Sequence, residues 1–468
     1  MQRQRGFYPV NNSFGDGAPE PPQDLVAVAA AGAVAQPVTL TAEEMQGAAT
    51  ASLAAREPGQ ALALADALLA RDPGDVQALV TRSRALRDLG RYDEAVATGR
   101  EAWRRAEGDT ERYLAALVTA QGLASRGHRT MSQLWLRRAI EVAPDERLEA
   151  RAVRDFQYVR ARNPWSTQLH FSISPSDNIN DGSVRDEISF AGIDGVVLSP
   201  TARALSGLEI SGGVATRYTL SQSSTHRTRA GVSLYYETYI LSDEAQDMAP
   251  QAEGSDFAYG SAALTFGHEW RPEGWSGPLD VSFVAAWSWY AGERYGRTLE
   301  FSVARGFALS PRDRLRLSVS ADHFALEPDE TEADRSMSWE VEGWWLHQFE
   351  SGGALTLSAG LRESESERSS LDYTRSRVFG GYTLPEPVMG ARATLGLEME
   401  RRHYDAFPFT TDGRHDHGLE ARVDLVFPDL DWYGFVPTLR VFASETLSTN
   451  DRYDQRESGV DLGFRSAF

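Results

Sequence analysis

Two patterns of apolar and polar positions divide the chain at Asn163-Pro164-Trp165. Upstream, from about residue 41 to 162, the sequence is rich in Ala, Leu, Arg and Glu, residues that lose little on entering a helix. Its punctuation repeats. Ala61 and Pro73 are echoed 34 residues later by Ala95 and Glu107, and the turn Gly90-Arg91-Tyr92-Asp93-Glu94-Ala95 recurs loosely at Gly127, 37 residues on. Ala102 and Glu107 have counterparts at Ala139 and Pro144 at that same offset. A period near 34 with small residues at helix crossings predicts stacked helix–turn–helix units, with residues 147–162 as a closing helix.

Downstream, helical periodicity gives way to strict alternation. Leu395, Leu397 and Met399 alternate with Thr394, Gly396 and Glu398; Leu419, Ala421, Val423 and Leu425 alternate with Glu420, Arg422 and Asp424. Leu315, Leu317 and Val319, and Leu355, Leu357 and Leu361, follow the same rule. Successive strand side chains point to opposite faces, so each strand presents one apolar and one polar face. Fourteen strands are predicted, starting near Trp165, Ser206, Arg227, Phe257, Leu279, Gly296, Arg312, Arg335, Ala354, Asp372, Ala391, His417, Phe435 and Tyr453.

A soluble sandwich alternates as well. Three features point instead to a membrane barrel. The strands are about 11 to 15 residues long, beyond the usual globular length and enough to cross a bilayer at a tilt. Aromatics crowd strand ends, among them Trp270, Trp275, Trp287, Trp289, Tyr290, Trp344, Trp345, Trp432 and Tyr433, as in an interfacial girdle. The last predicted strand carries Val460, Leu462, Phe464, Ser466 and Phe468 on one face, and Phe464 and Phe468 look like a barrel C-terminal signal. Short turns are expected at 310–313, 350–353, 385–390 and 428–434, and longer loops at 176–205, 241–256, 327–334 and 406–416. An even strand count returns both barrel ends to one side of the membrane. The fold class expected is therefore α plus transmembrane β: helical repeats followed by an antiparallel outer-membrane barrel of about fourteen strands. The domain limits expected are 1–40, 41–162 and 163–468.

Composition sharpens this. The net charge of −20 disfavours nucleic acid as a partner, because such binding needs a basic face to displace counterions. Cysteine is absent, which removes disulfides, zinc–thiolate sites and cysteine nucleophiles. Residues 1–40 hold the apolar run Leu25–Ala35, ending in Ala33-Val34-Ala35. That reads as a signal peptide or as a disordered tail, since Asp16, Glu20 and Asp24 stand where basic residues are wanted.

The first half resembles a tetratricopeptide array of about three repeats, best at Gly90–Ala95. Such arrays bind a polypeptide or a neighbouring domain in a concave groove. Tyr92, Trp103, Tyr113 and Trp135 are the aromatic candidates for client contact. In the barrel, the polar faces place Arg316, Glu340, Glu342, Arg362, Arg392, Glu398, Arg422, Asp424, Asp461 and Arg465 toward the lumen. Their mixed signs favour cross-lumen pairing over a selective porin path. The run Arg414-His415-Asp416-His417 reads as a solvated loop rather than a metal site, and Glu363, Glu365 and Glu367 as a solvated strand tip. No nucleophile elbow, phosphate loop, zinc-protease helix or dinucleotide fingerprint is found, so neither catalysis nor a cofactor or metal is expected.

The junction Asn163-Pro164-Trp165, with Ser176-Asp177-Asn178-Ile179-Asn180 after the first strand and the closing Gly463–Phe468, resembles the surface lipoprotein assembly modifier (Slam) family. Trp165, Asn178 and Asn180 carry the barrel-start likeness, although Asn178 and Asn180 also suit a turn. The resemblance implies a periplasmic repeat domain joined to a fourteen-strand barrel. It also implies transfer of client proteins, surface lipoproteins or small secreted binding proteins, across the bacterial outer membrane. Outer-membrane lipid and the barrel-assembly machinery would be further partners. The alternatives are a polysaccharide-export barrel and a passive porin.

Overall fold

The computed structural model describes residues 40–190, 193–326, 335–407, 412–430 and 435–466. The chain forms two compact units that divide between Arg162 and Asn163.

The first unit is a run of antiparallel helices: α1 (Ala42–Ala54), α2 (Pro58–Arg71), α3 (Val76–Asp88), α4 (Tyr92–Arg105), α5 (Asp109–Ser125), α6 (Arg129–Glu141) and α7 (Glu146–Arg162). Local chemistry sets the ends. Thr41 and Glu44 form a reciprocal capping box at α1, and the Asp75 carboxylate accepts from the Ala78 amide at α3, each satisfying orphan amides of a first turn. Gly90 and Gly127 take φ of +76° and +91° where α3 turns into α4 and α5 into α6. Only glycine adopts that backbone without a Cβ penalty. Ala95, Ala102, Ala115, Ala116, Ala120 and Ala139 are fully buried where helices cross. Gly99 lies so close to α5 that an added Cβ would collide with Thr119. The core is Val96, Tyr113, Leu117, Leu123, Trp135 and Leu136. Leu117→Ala empties its centre. It is expected to lower helical-unit stability by about 3 kcal/mol, read as a fall in the thermal midpoint of the isolated-unit circular dichroism signal.

The second unit is a closed antiparallel barrel of fourteen strands. They are β1 (Trp165–Ser176), then, after a small loop hairpin of β2 (Glu187–Phe190) and β3 (Ile193–Val197), β4 (Gly207–Gln222), β5 (His226–Leu241), β6 (Tyr259–Trp270), β7 (Leu279–Tyr290), β8 (Glu293–Ala308), β9 (Asp313–Leu326), β10 (Arg335–Gln348), β11 (Ala354–Ser366), β12 (Tyr373–Thr383), β13 (Arg392–Tyr404), β14 (Arg414–Val426), β15 (Phe435–Ser448) and β16 (Gln455–Ser466). β1 closes the sheet by pairing with both β4 and β16. Closure leaves no sheet edge, the requirement for strands in lipid. The apolar face points out: Met399, Leu361 and Phe301 are 55%, 57% and 51% exposed although flanked by half-buried polar neighbours. An outer wall of this kind is unstable in water and suited to hydrocarbon. Aromatics rim it, as in Trp165 against Tyr218 and Trp270 against Trp275, with ring centroids 4.8 and 5.8 Å apart.

Alternation located most strand starts within two residues, because a register error would turn every side chain to the wrong face. Three differences stand out. β7 and β8 are joined by Ala291-Gly292 alone, both at positive φ, so one connection at the long-loop end is a tight primed turn. β14 begins at Arg414 rather than His417, so the run read as a loop is strand. The first long loop holds its own hairpin, β2–β3, and a short helix, α8 (Asp243–Met248), sits in the second. Residues 25–35, Trp432, Tyr433 and Phe468 lie outside the described residues.

Candidate functional site

The lumen is where the polar faces converge, and its charges pair. Arg362 Nη2 lies 2.7 Å from Asp322 and its Nη1 3.4 Å from Glu340. Arg375 reaches Glu340 at 3.1 Å, Arg377 reaches Glu342 at 3.4 Å, and Arg402 reaches Glu400 at 2.9 Å. Arg422 lies 2.8 Å from Glu420 and 3.8 Å from Glu398, while Arg440 contacts Asp424 at 2.7 Å. Arg316 pairs with Asp280 at 2.7 Å. Strands β9 to β15 thus carry a continuous ladder of guanidinium and carboxylate groups.

The remaining wall is different. On β1, β4, β5 and β16 the inward carboxylates Glu209, Glu237, Glu457 and Asp461 are met by hydroxyls. Ser176 Oγ donates to Glu457 at 2.8 Å, Tyr239 to Glu237 at 3.2 Å, and Ser172 to Asp461. Arg392 and Arg465 stand on inward registers near the short-turn end and are exposed. Beside the zwitterionic ladder, the long-loop half of β1, β4, β5 and β16 is therefore acidic and hydroxyl-rich, with Arg217 and Arg229 on the inward registers further down β4 and β5. Arg375, Arg377, Arg402, Arg440, Glu209 and Glu237 were not among the sequence candidates. Continuing the alternation through β4, β5, β12, β13 and β15 would have found them.

Asn178 and Asn180 are structural clasps. Asn178 is 3% exposed; its Nδ2 donates to the carbonyls of Gly182 and Arg456 at 3.0 and 3.2 Å, and its Oδ1 accepts from the Gly182 amide at 2.8 Å. Asn180 Nδ2 donates to Thr201 and Arg203 carbonyls at 3.0 and 2.9 Å, and its Oδ1 accepts from the Leu205 amide at 2.9 Å. Together with Arg185–Asp454 at 2.8 Å, they tie the first long loop to its own return and to the β15–β16 connection. Asn180→Ala removes three such bonds, about 3 kcal/mol locally. Loop 177–206 is expected to become cleavable by trypsin while the barrel keeps its heat-modifiable gel mobility.

Strand geometry separates the Arg414–His417 run. Arg414 and Asp416 point inward and pair at 3.1 Å, whereas His415 and His417 point outward, so the four cannot converge on one ion. Glu363 and Glu365 point outward near the end of β11, with Glu367 just beyond it.

The helical aromatics correct an expectation. Tyr113 and Trp135 are 1% and 6% exposed. The Tyr113 hydroxyl donates to the Leu148 carbonyl at 3.0 Å, and Trp135 packs edge-on against Trp103 at 5.6 Å. Tyr113 and Trp135 hold helices together and offer almost no surface to a client, because core packing claimed them, while Trp103 is half-buried against Trp135. Tyr92, at the start of α4, is exposed. Polar residues mark another surface. Arg87 Nη1 bonds Gln121 Oε1 across α3 and α5 at 2.7 Å. Burial, with Arg151 and Arg87 as cationic neighbours, pushes the Arg84 guanidinium below its usual pKa, and partial burial raises the Asp155 carboxyl.

These two units define the class: a β-barrel of the outer-membrane type preceded by tetratricopeptide repeats. The tetratricopeptide repeat model matches residues 52–119. No curated protein matches the chain. Among solved structures, the type III secretion translocator chaperone SycD of Yersinia enterocolitica is 16% identical, with 26% of this chain and 83% of that one covered at a TM-score of 0.23. An outer membrane channel from Pseudomonas putida F1 is 10% identical, covering 65% of this chain and 96% of that one at 0.33. The loop L8 deletion mutant of OmpT, an outer membrane protein of Vibrio cholerae, is also 10% identical, covering 65% and 99% at 0.33. At such distances they carry no functional weight.

Proposed function

We propose that this protein is a translocator that delivers client proteins across the bacterial outer membrane, its helical repeats engaging the client in the periplasm and its barrel serving the passage. One observation carries the reading: a repeat fold of the kind that grips polypeptide is covalently joined to a closed barrel with a polar, charge-paired lumen. A passive porin has no use for the repeats. The barrel's first strand begins and its last strand finishes on the short-turn side, the side that faces the periplasm in bacterial barrels, which supports a periplasmic position for the preceding helices. The role is transport, not catalysis. It agrees with the Slam resemblance at Trp165, Asn178 and Asn180, whose clients are surface lipoproteins or small secreted binding proteins. Polysaccharide export is the second reading; the acidic, hydroxyl-rich wall at Tyr235, Tyr239, Glu209 and Glu237 is chemistry that sugars also use.

Photo-crosslinking in living cells separates the two. Benzoylphenylalanine placed at Gln121 and at Tyr158 is expected to capture a polypeptide destined for the surface. Capture of sugar polymer, or of no polypeptide at either position, contradicts the translocator reading.

A further inference from the structure

Adjacent strands β13 and β14 carry four basic residues on the barrel's outer wall, close to the long-loop rim. Arg401 stands directly across from His417, and His403 directly across from His415. The two histidine rings of the second pair stack at 4.2 Å and 17°. All four share the outward face with Leu397, Met399 and Leu419.

Their depth follows from strand geometry. On β14 the outward face is apolar from Phe427 through Leu425, Val423, Ala421 and Leu419, and basic at His417 and His415. Ten residues at roughly 3.4 Å each, tilted by about 40°, rise about 26 Å. The apolar band of such barrels is about 25 Å tall. The basic pairs therefore stand where hydrocarbon gives way to headgroups.

Arg401 brings a fixed positive charge and the imidazoles bring ring N–H donors, and this patch is poorly neutralised from within. Among the described residues Arg401 and His417 have no hydrogen-bond or ion-pair partner. His403 Nε2 has Asp405 at 2.9 Å, while its Nδ1 is buried and unsatisfied. The neighbouring outward carboxylate, Glu445 on β15, is held by Arg456 at 2.6 Å. A guanidinium and three imidazoles at headgroup depth, with Asp405 the one carboxylate paired to them among the described residues, suit an anionic phosphate.

We propose that Arg401, His403, His415 and His417 form a binding site for the phosphate of a membrane-lipid headgroup. The site anchors the β13–β14 wall at the membrane surface. It rests on the barrel crossing a membrane and is independent of what the barrel transports.

The test uses the full chain in phosphatidylcholine nanodiscs, offered lipid A bearing both phosphates or fully dephosphorylated lipid A, with bound lipid read by native mass spectrometry. The wild type is expected to retain the phosphorylated form at least fivefold better than the dephosphorylated one. The double variant Arg401→Gln/His417→Gln is expected to lose that preference, and Arg401→Lys to keep most of it. Heat-modifiable mobility reports that each variant is folded. Equal retention of both lipids by the wild type, or an undiminished preference in the folded double variant, overturns the proposal. A chain that does not enter nanodiscs at all overturns the membrane reading instead.

Discussion

Leu86→Asp is expected to abolish client delivery while leaving the barrel folded. Leu86 is fully buried in the helical unit. An unpaired carboxylate there costs several kcal/mol, against a total stability of roughly 6–15 kcal/mol for a unit of this size. The helices are expected to lose cooperative packing. The barrel belongs to a separate compact unit with its own closed hydrogen-bond network, so its heat-modifiable mobility is expected to persist. Surface exposure of the client should fall to the level of the gene deletion. Undiminished delivery with an unfolded helical unit would remove the repeats from the mechanism.

The second large effect concerns the lumen. Arg362 is shared by Asp322 and Glu340, and its Nε bonds the Tyr373 hydroxyl at 3.2 Å. Arg362→Leu strands Asp322 on the wall, while Glu340 keeps Arg375 at 3.1 Å, and the lumen loses one positive charge. One added negative charge about 8 Å from a passing ion in a water-filled lumen is worth about 0.5 kcal/mol. It raises cations and lowers anions by roughly 2.3-fold each, so the cation-to-anion permeability ratio in planar bilayers is expected to rise about fivefold. Arg316→Leu, which frees Asp280, is expected to act the same way. A conducting variant with unchanged selectivity would show that ions do not pass this ladder.

The barrel was legible because its physical constraint is periodic. Lipid outside and water inside force alternation along Leu395–Met399 and Leu419–Leu425, and short turns follow from chemistry such as Gly352, whose φ is positive. The helical repeat was legible for a similar reason: Ala95 and Ala102 are fully buried where helices meet, and Gly90 holds the positive φ of the turn between α3 and α4. The site was less so. Tyr113 and Trp135 look like recognition residues in sequence, because burial against α7 and Trp103 is a property of the third dimension. The arginine ladder was half seen, since Arg362 and Arg422 stand in obvious strands whereas Arg375 and Arg377 lie in β12, whose apolar face is interrupted by Gly380 and Thr374. The loop clasps at Asn178 and Asn180 read as turn formers and proved to be long-range ties, which local sequence does not encode.

The most direct test of the account is surface labelling of an epitope-tagged neighbouring lipoprotein or secreted binding protein in intact cells, with and without this gene. Loss of one client from the surface, with that client retained inside and other barrels unaffected, is the predicted result. Unchanged exposure of every tagged client in the deletion strain would contradict it.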